Sequence, residues 1–97
     1  PVGVSVLCPS FVRTNLPASE RNRPAGVPSM ASSQAWQAHL EANRVRAAQG
    51  LHPAQVAELV VDAIKQGRFY ILSHPDKSIA AVQARQRWLT HGIPPVF

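Results

Sequence analysis

The 97-residue sequence has a single cysteine, Cys8, so no disulfide can close within it and no multi-cysteine zinc site can be built. That is the usage of a reducing compartment, and a cytoplasmic setting is expected. Long apolar runs are also missing. The opening stretch, residues 1–12, is interrupted by Gly3, Ser5 and Ser10 and falls short of the roughly 18 apolar residues a membrane-spanning helix needs. No basic region precedes that stretch, so it does not read as a secretion signal, and no membrane partner is expected. The chain opens with Pro1 rather than Met, which suggests that it was cut from something longer.

The glycines are too dispersed for phosphate chemistry. Even the nearest pair, Gly50 and Gly67, is far too widely spaced for GxGxxG or a P-loop. Metal chemistry is equally poorly supplied: His39, His52, His74 and His91 show no i, i+4 pairing with one another and no HExxH spacing. His52 and His74 each precede a proline and read as turn or cap residues. Glu58 and Asp62 are one helical turn apart but flank a polar face. Cys8 falls within an apolar strand, where a thiol is inert.

Acidic residues are scarce too: ten Lys and Arg against five Asp and Glu leave a net charge of +5. The basic residues are spread along the whole chain without aromatic residues interleaved as a stacking platform, so nucleic acid is not the expected partner.

What is present has the order strand, loop, helix, helix, strand, helix. Residues 2–8 are rich in β-branched residues, uncharged and stopped by Pro9, the pattern of a strand buried on both faces of a parallel sheet. Residues 15–28 carry Pro17, Pro24 and Pro28 and predict a long irregular excursion. A helix is expected to begin after Ser29 to Ser33 and run toward Gln49, with Trp36, Leu40 and Ala47 on one side and Gly50 as its stop. Trp36 and Met30 read as helix core, with a pocket lining as the alternative.

The next helix is the clearest element. Pro53 suits its first position, Val56, Leu59, Val60, Ala63 and Ile64 repeat at helical spacing, and Gly67 ends it. Residues 69–72 predict a short strand. Asp76 is placed to cap a last helix over 77–91, with Ile79, Val82 and Leu89 inward and Arg85 and Arg87 outward; Gly92, Pro94 and Pro95 end it. The order describes one large crossover in an α/β sheet, with the two strands parallel and adjacent.

One segment offers chemistry. In Leu7-Cys8-Pro9-Ser10-Phe11-Val12-Arg13-Thr14 a buried strand runs into Pro-Ser-x-Val-x-Thr, at the carboxyl end where ligands collect in open α/β sheets. This resembles the segment after the sixth strand of short-chain dehydrogenases/reductases, where Pro-Gly-x-Val-x-Thr wraps the nicotinamide end of the cofactor. The resemblance continues: His52-Pro53-Ala54-Gln55-Val56-Ala57 is similar to the family's Pro-x-x-Val-Ala pattern, and Gly67-Arg68-Phe69-Tyr70-Ile71-Leu72 looks like its seventh strand.

The resemblance implies that 1–97 is the C-terminal portion of one Rossmann-type domain, a doubly wound parallel sheet, incomplete by itself, with 15–51 as a mobile substrate-loop region. It implies an NAD or NADP cofactor, a small alcohol or carbonyl substrate, and a homo-oligomer. Pro9, Ser10, Phe11 and Val12 would lie against the nicotinamide, Val12 main-chain groups would hold its carboxamide, and Thr14 would donate its hydroxyl to the carboxamide or a phosphate. Ser10 departs from the family's more usual glycine. The family's catalytic Tyr-x-x-x-Lys is missing, since Tyr70 is followed four residues later by His74. The segment is therefore expected to be inactive alone. The alternative reading is a small basic non-enzymatic α/β module that binds nucleic acid or a protein partner.

Overall fold

The structure, a computed structural model, describes residues 1–29 and 33–94. Met30 and Pro95 lie outside the described residues. Strand β1 (Val6–Cys8) pairs in parallel with β2 (Tyr70–Leu72), in the register Val6 to Tyr70, Leu7 to Ile71 and Cys8 to Leu72. Between them run a 3-10 segment (Leu16–Asn22) and the helices α1 (Gln34–Ala48) and α2 (Pro53–Lys65); α3 (Pro75–His91) follows β2. This is the expected α/β crossover.

β1 is shorter than residues 2–8 predict, and its side chains are not covered on both faces: Val2, Val4, Val6 and Leu7 remain exposed, and Cys8 is half-buried. An apolar parallel strand needs neighbours on either edge and layers above and below. The described chain supplies one neighbour, β2, whose central Ile71 is buried.

α2 forms as its periodicity dictates. His52 Nδ1 accepts from Ala54 N–H at 3.2 Å and Gln55 Oε1 accepts from His52 N–H at 2.9 Å, a reciprocal cap that satisfies donors at the helix start. Val56 and Ala63 are buried where α2 packs against β2. At its far end Gly67 takes a φ of 65°, the left-handed conformation that ends a helix at low cost for glycine.

Two expectations are corrected. Within the excursion over 15–28, residues 16–22 wind into the 3-10 segment, because Pro17 falls in its first turn, where a missing N–H costs nothing. α3 begins at Pro75 with His74 at the N-cap position, so Asp76 sits in the first turn beside the positive helix end rather than capping it. Its supposed inward residues are open to solvent: Ile79 is 49%, Val82 68% and Leu89 76% exposed. Their spacing is helical, but no described element covers them. Among the described residues, no helix is long and apolar enough to cross a membrane.

Candidate functional site

The segment after β1 is held at two points. Ser10 N–H donates to Ser73 Oγ at 2.8 Å, and Ser73 Oγ lies 2.9 Å from His74 Nδ1, so the backbone leaving β1 is tied to the residues leaving β2. Three residues on, Leu51 N–H donates to Phe11 O at 3.2 Å and Arg13 N–H donates to Leu51 O at 2.8 Å, forming a parallel bridge of Val12 with Leu51. In such a bridge the flanking residues make the bonds and the central residue's own N–H and C=O point to the other side. Among the described residues, the main-chain N–H and C=O of half-buried Val12 have no partner.

This close approach requires Gly50. A Cβ there would overlap Phe11 O and stand 2.6 Å from the Phe11 carbonyl carbon and 2.9 Å from Val12 N, all backbone atoms. Gly50 therefore does more than stop α1. Arg13 Nε donates to Ala48 O at 3.2 Å, meeting a carbonyl at the negative end of that helix, and the Arg46 guanidinium sits 5.8 Å from the centre of the Phe11 ring.

Pro9, Ser10, Phe11, Val12 and Thr14 all line one cavity of about 750 Å³. Its opposite wall is α1, through Trp36, His39, Leu40, Asn43 and Ala47, and its rim is Leu16, Pro17 and Ser19. Thr14 Oγ1 accepts from Leu16 N–H at 3.3 Å, which leaves its own O–H available as a donor. Among the described residues no Asp, Glu, Lys or Arg lines the cavity. Trp36 thus belongs to a cavity wall rather than to a closed core. Among the described residues its Nε1–H is buried without a partner, a state that costs about 1–3 kcal/mol.

The rim is braced by charge. Arg21 Nη1 donates to Asn15 O at 2.9 Å and Ala18 O at 2.8 Å, while Arg23 forms a two-pronged pair with Glu20 and donates to Pro28 O at 2.9 Å. Ser29 Oγ donates to Glu20 Oε2 at 2.9 Å. Hydrogen bonds from Arg23 and Ser29 hold the Glu20 carboxyl below its ordinary value, and the same pairing holds Arg23 above its own. Among the described residues no three His, Cys, Asp or Glu side chains converge as a metal site.

The five residues singled out in the sequence meet at this cavity, but their two supports were not legible there. Nothing in the sequence singles out Ser73, and Gly50 reads only as a helix stop. The one available signal was the placement of each beside a predicted strand or helix end.

No model of a protein family matches the chain. A CLA biosynthesis dehydrogenase/reductase from Lactiplantibacillus plantarum is 29% identical over 99 aligned residues, covering 98% of this chain and 35% of that protein. A short-chain dehydrogenase/reductase from Burkholderia phymatum, solved in complex with NAD, superposes with a TM-score of 0.81 at 33% identity, covering 96% of this chain and 34% of that one. The chain thus spans about a third of the length of each relative.

Proposed function

Since the chain is a segment of a short-chain dehydrogenase/reductase, we propose that its parent protein is an NAD- or NADP-dependent oxidoreductase that interconverts a small alcohol and its carbonyl compound. In this reading residues 1–97 form the C-terminal portion of one Rossmann-type domain. They contribute the nicotinamide-side contacts and, over 15–51, the substrate loop.

The observation that carries the reading is the pair of unpartnered main-chain groups of Val12 beside the cavity. A carboxamide offers one donor and one acceptor side by side, and Val12 presents the complementary acceptor and donor on a backbone clamped from behind by Leu51. Pro9, Ser10 and Phe11 form the surface against which the ring lies, and the Thr14 O–H is free to donate to the carboxamide or a phosphate oxygen. When bound, a nicotinamide supplies hydride exchange with the carbinol or carbonyl carbon, while the oxygen's proton goes to or comes from an acid–base side chain. That side chain and its lysine partner belong, in this reading, to a part of the parent outside these residues, so the segment is inactive alone.

The same reading makes the protein cytoplasmic, in keeping with its single cysteine. It also makes it a homo-oligomer without nucleic-acid or membrane partners. Tyr70, 65% exposed on a strand with a free edge, supports pairing with a second copy at that edge.

Thr14→Ala in the full-length protein tests the cofactor contacts. Loss of one hydrogen bond of about 1 kcal/mol raises the cofactor Kd about fivefold. An unchanged Kd for both NAD and NADP, measured by calorimetry, removes Thr14 from the site, and no binding of either by the unaltered protein rejects the function.

A further inference from the structure

We infer that Ser73 is a positioning residue for the nicotinamide: its side-chain hydroxyl takes the place of a main-chain carbonyl, holds Ser10, and so sets where the cofactor segment lies. The inference rests on the oxidoreductase reading and adds to it a residue that acts through another.

The register of the sheet shows what the hydroxyl replaces. Val6 N–H donates to Phe69 O at 2.7 Å, and the parallel pairing runs from Val6 with Tyr70 to Cys8 with Leu72. Bonds donated by one strand of a parallel pair recur at every second residue. The rungs that follow therefore fall from Cys8 N–H to Ile71 O, and from Ser10 N–H to the carbonyl of Ser73. By Ser73, however, the main chain is leaving β2 for α3, which opens at Pro75. Ser10 N–H donates instead to Ser73 Oγ, at 2.8 Å. The ladder gains one further rung from a side chain after the two backbones have parted.

The use of donors and acceptors along residues 10–13 gives this rung its consequence. Phe11 O and Arg13 N–H are bound to Leu51, Ser10 N–H is bound to Ser73, and the N–H and C=O of Val12 are without a partner among the described residues. Leu51 brackets Val12 only. Between Cys8, the last paired residue of β1, and Phe11, Ser73 holds the surface that Pro9 and Ser10 offer to the nicotinamide ring. Without its hydroxyl a half-buried N–H is left unpaired, and the segment shifts to relieve it.

The hydroxyl is itself oriented. Its oxygen lies 2.9 Å from His74 Nδ1. Because Ser10 N–H takes a lone pair, the hydroxyl proton is free to point at that nitrogen, which keeps the lone pair turned toward Ser10. Ser10, Ser73 and His74 are all half-buried.

The test uses the full-length protein and two ligands. One is NAD or NADP, whichever it binds; the other is the matching ADP-ribose or its 2′-phosphate, which lacks the nicotinamide. In calorimetry, Ser73→Ala and Ser73→Val are expected to raise the dinucleotide Kd about fivefold and to leave the ADP-ribose Kd within about twofold. Ser73→Thr has the shape of Ser73→Val but keeps the hydroxyl, so it should restore dinucleotide binding. A residue that only supports the fold would weaken both ligands together.

A further readout needs no variant. In the unaltered, cofactor-free protein, hydrogen exchange at the Ser10 amide, followed by nuclear magnetic resonance, is expected to be as slow as at the Cys8 amide. Equal weakening of both ligands, an unchanged dinucleotide Kd without the hydroxyl, no rescue by Ser73→Thr, or fast exchange at Ser10 overturns the inference and leaves the oxidoreductase reading intact. No binding of either dinucleotide by the unaltered protein overturns that reading and this inference with it.

Discussion

Gly50 shows how one residue without a side chain fixes the site. Its close passage over Phe11 and Val12 lets Leu51 bond on both sides of Val12, and that bridge aims the Val12 N–H and C=O away from Leu51. Gly50→Ala puts a methyl group into backbone atoms that cannot swing aside as a flexible side chain would. It is expected to cost the full-length protein about 1–3 kcal/mol in stability, the usual range for overpacking. If the displaced backbone carries the proposed cofactor contacts, the substitution also raises the cofactor Kd. Denaturant unfolding and calorimetry measure the two effects separately. A stable variant with unaltered Kd would mean that Phe11 and Val12 are not held by this contact.

Ser73 works at the same scale by a different means. Its hydroxyl joins residues 63 positions apart, with Ser10 N–H as donor. No local pattern announces such a pair.

At the scale of elements, the contrast between the 3-10 segment and the helices is one of where stability comes from. α2 has a cap, an apolar face and a strand to pack on. The 3-10 segment buries none of its residues and is held by Arg21, Arg23, Glu20 and Ser29. Its stability therefore depends on ionisation. The Glu20 carboxyl is lowered from 4.5 in the folded chain by hydrogen bonds from Arg23 and Ser29, so its contribution is present above about that pH and is lost as the pH falls through the lowered value. The pair is near the surface, so salt weakens it.

Nuclear magnetic resonance titration of the Glu20 carboxyl in the full-length protein should give a midpoint below 4.5 that rises toward it on Arg23→Ala. At pH 7, Glu20→Gln should speed tryptic cleavage after Arg21, since the bond after Arg23 is closed to trypsin by Pro24. A midpoint at the ordinary value, or unchanged cleavage, would show that these bonds do not hold the rim in solution.

For the whole molecule, the dimensions point the same way as the covered share of its relatives. The radius of gyration is 17.6 Å, against about 12.5 Å for a compact domain of this length. The accessible surface is 7952 Å², against roughly 5,400 Å² for a folded monomer of this mass. Exposed apolar side chains include Val6 and Leu7 on β1 and Ile79, Val82, Trp88 and Leu89 on α3. Left without the rest of its parent, the 97-residue chain is expected to bind a hydrophobic dye such as ANS strongly and to bind none of the four nicotinamide forms measurably. Saturable cofactor binding by the isolated chain would contradict the proposal that it is one portion of a larger domain.

The order of elements, the parallel pairing of two short strands and the limits of α2 were legible in the sequence, and 9–14 was marked there as the proposed place for chemistry. Each follows from local rules: Pro9 ends a strand, Pro53 and His52 open a helix, Gly67 and Gly92 close helices, and a strand's carboxyl end leaves backbone groups free. The remaining features depend on residues distant in the chain meeting in space. The clamp of Ser73 on Ser10, the bridge of Leu51 to Val12 through the gap at Gly50, and the Trp36 indole N–H buried without an acceptor among the described residues all belong here. The stripe of Ile79, Val82 and Leu89 marks the boundary between the two. Helical spacing predicts that these residues form an apolar face, but burial requires a second surface, which the described residues of this chain do not provide.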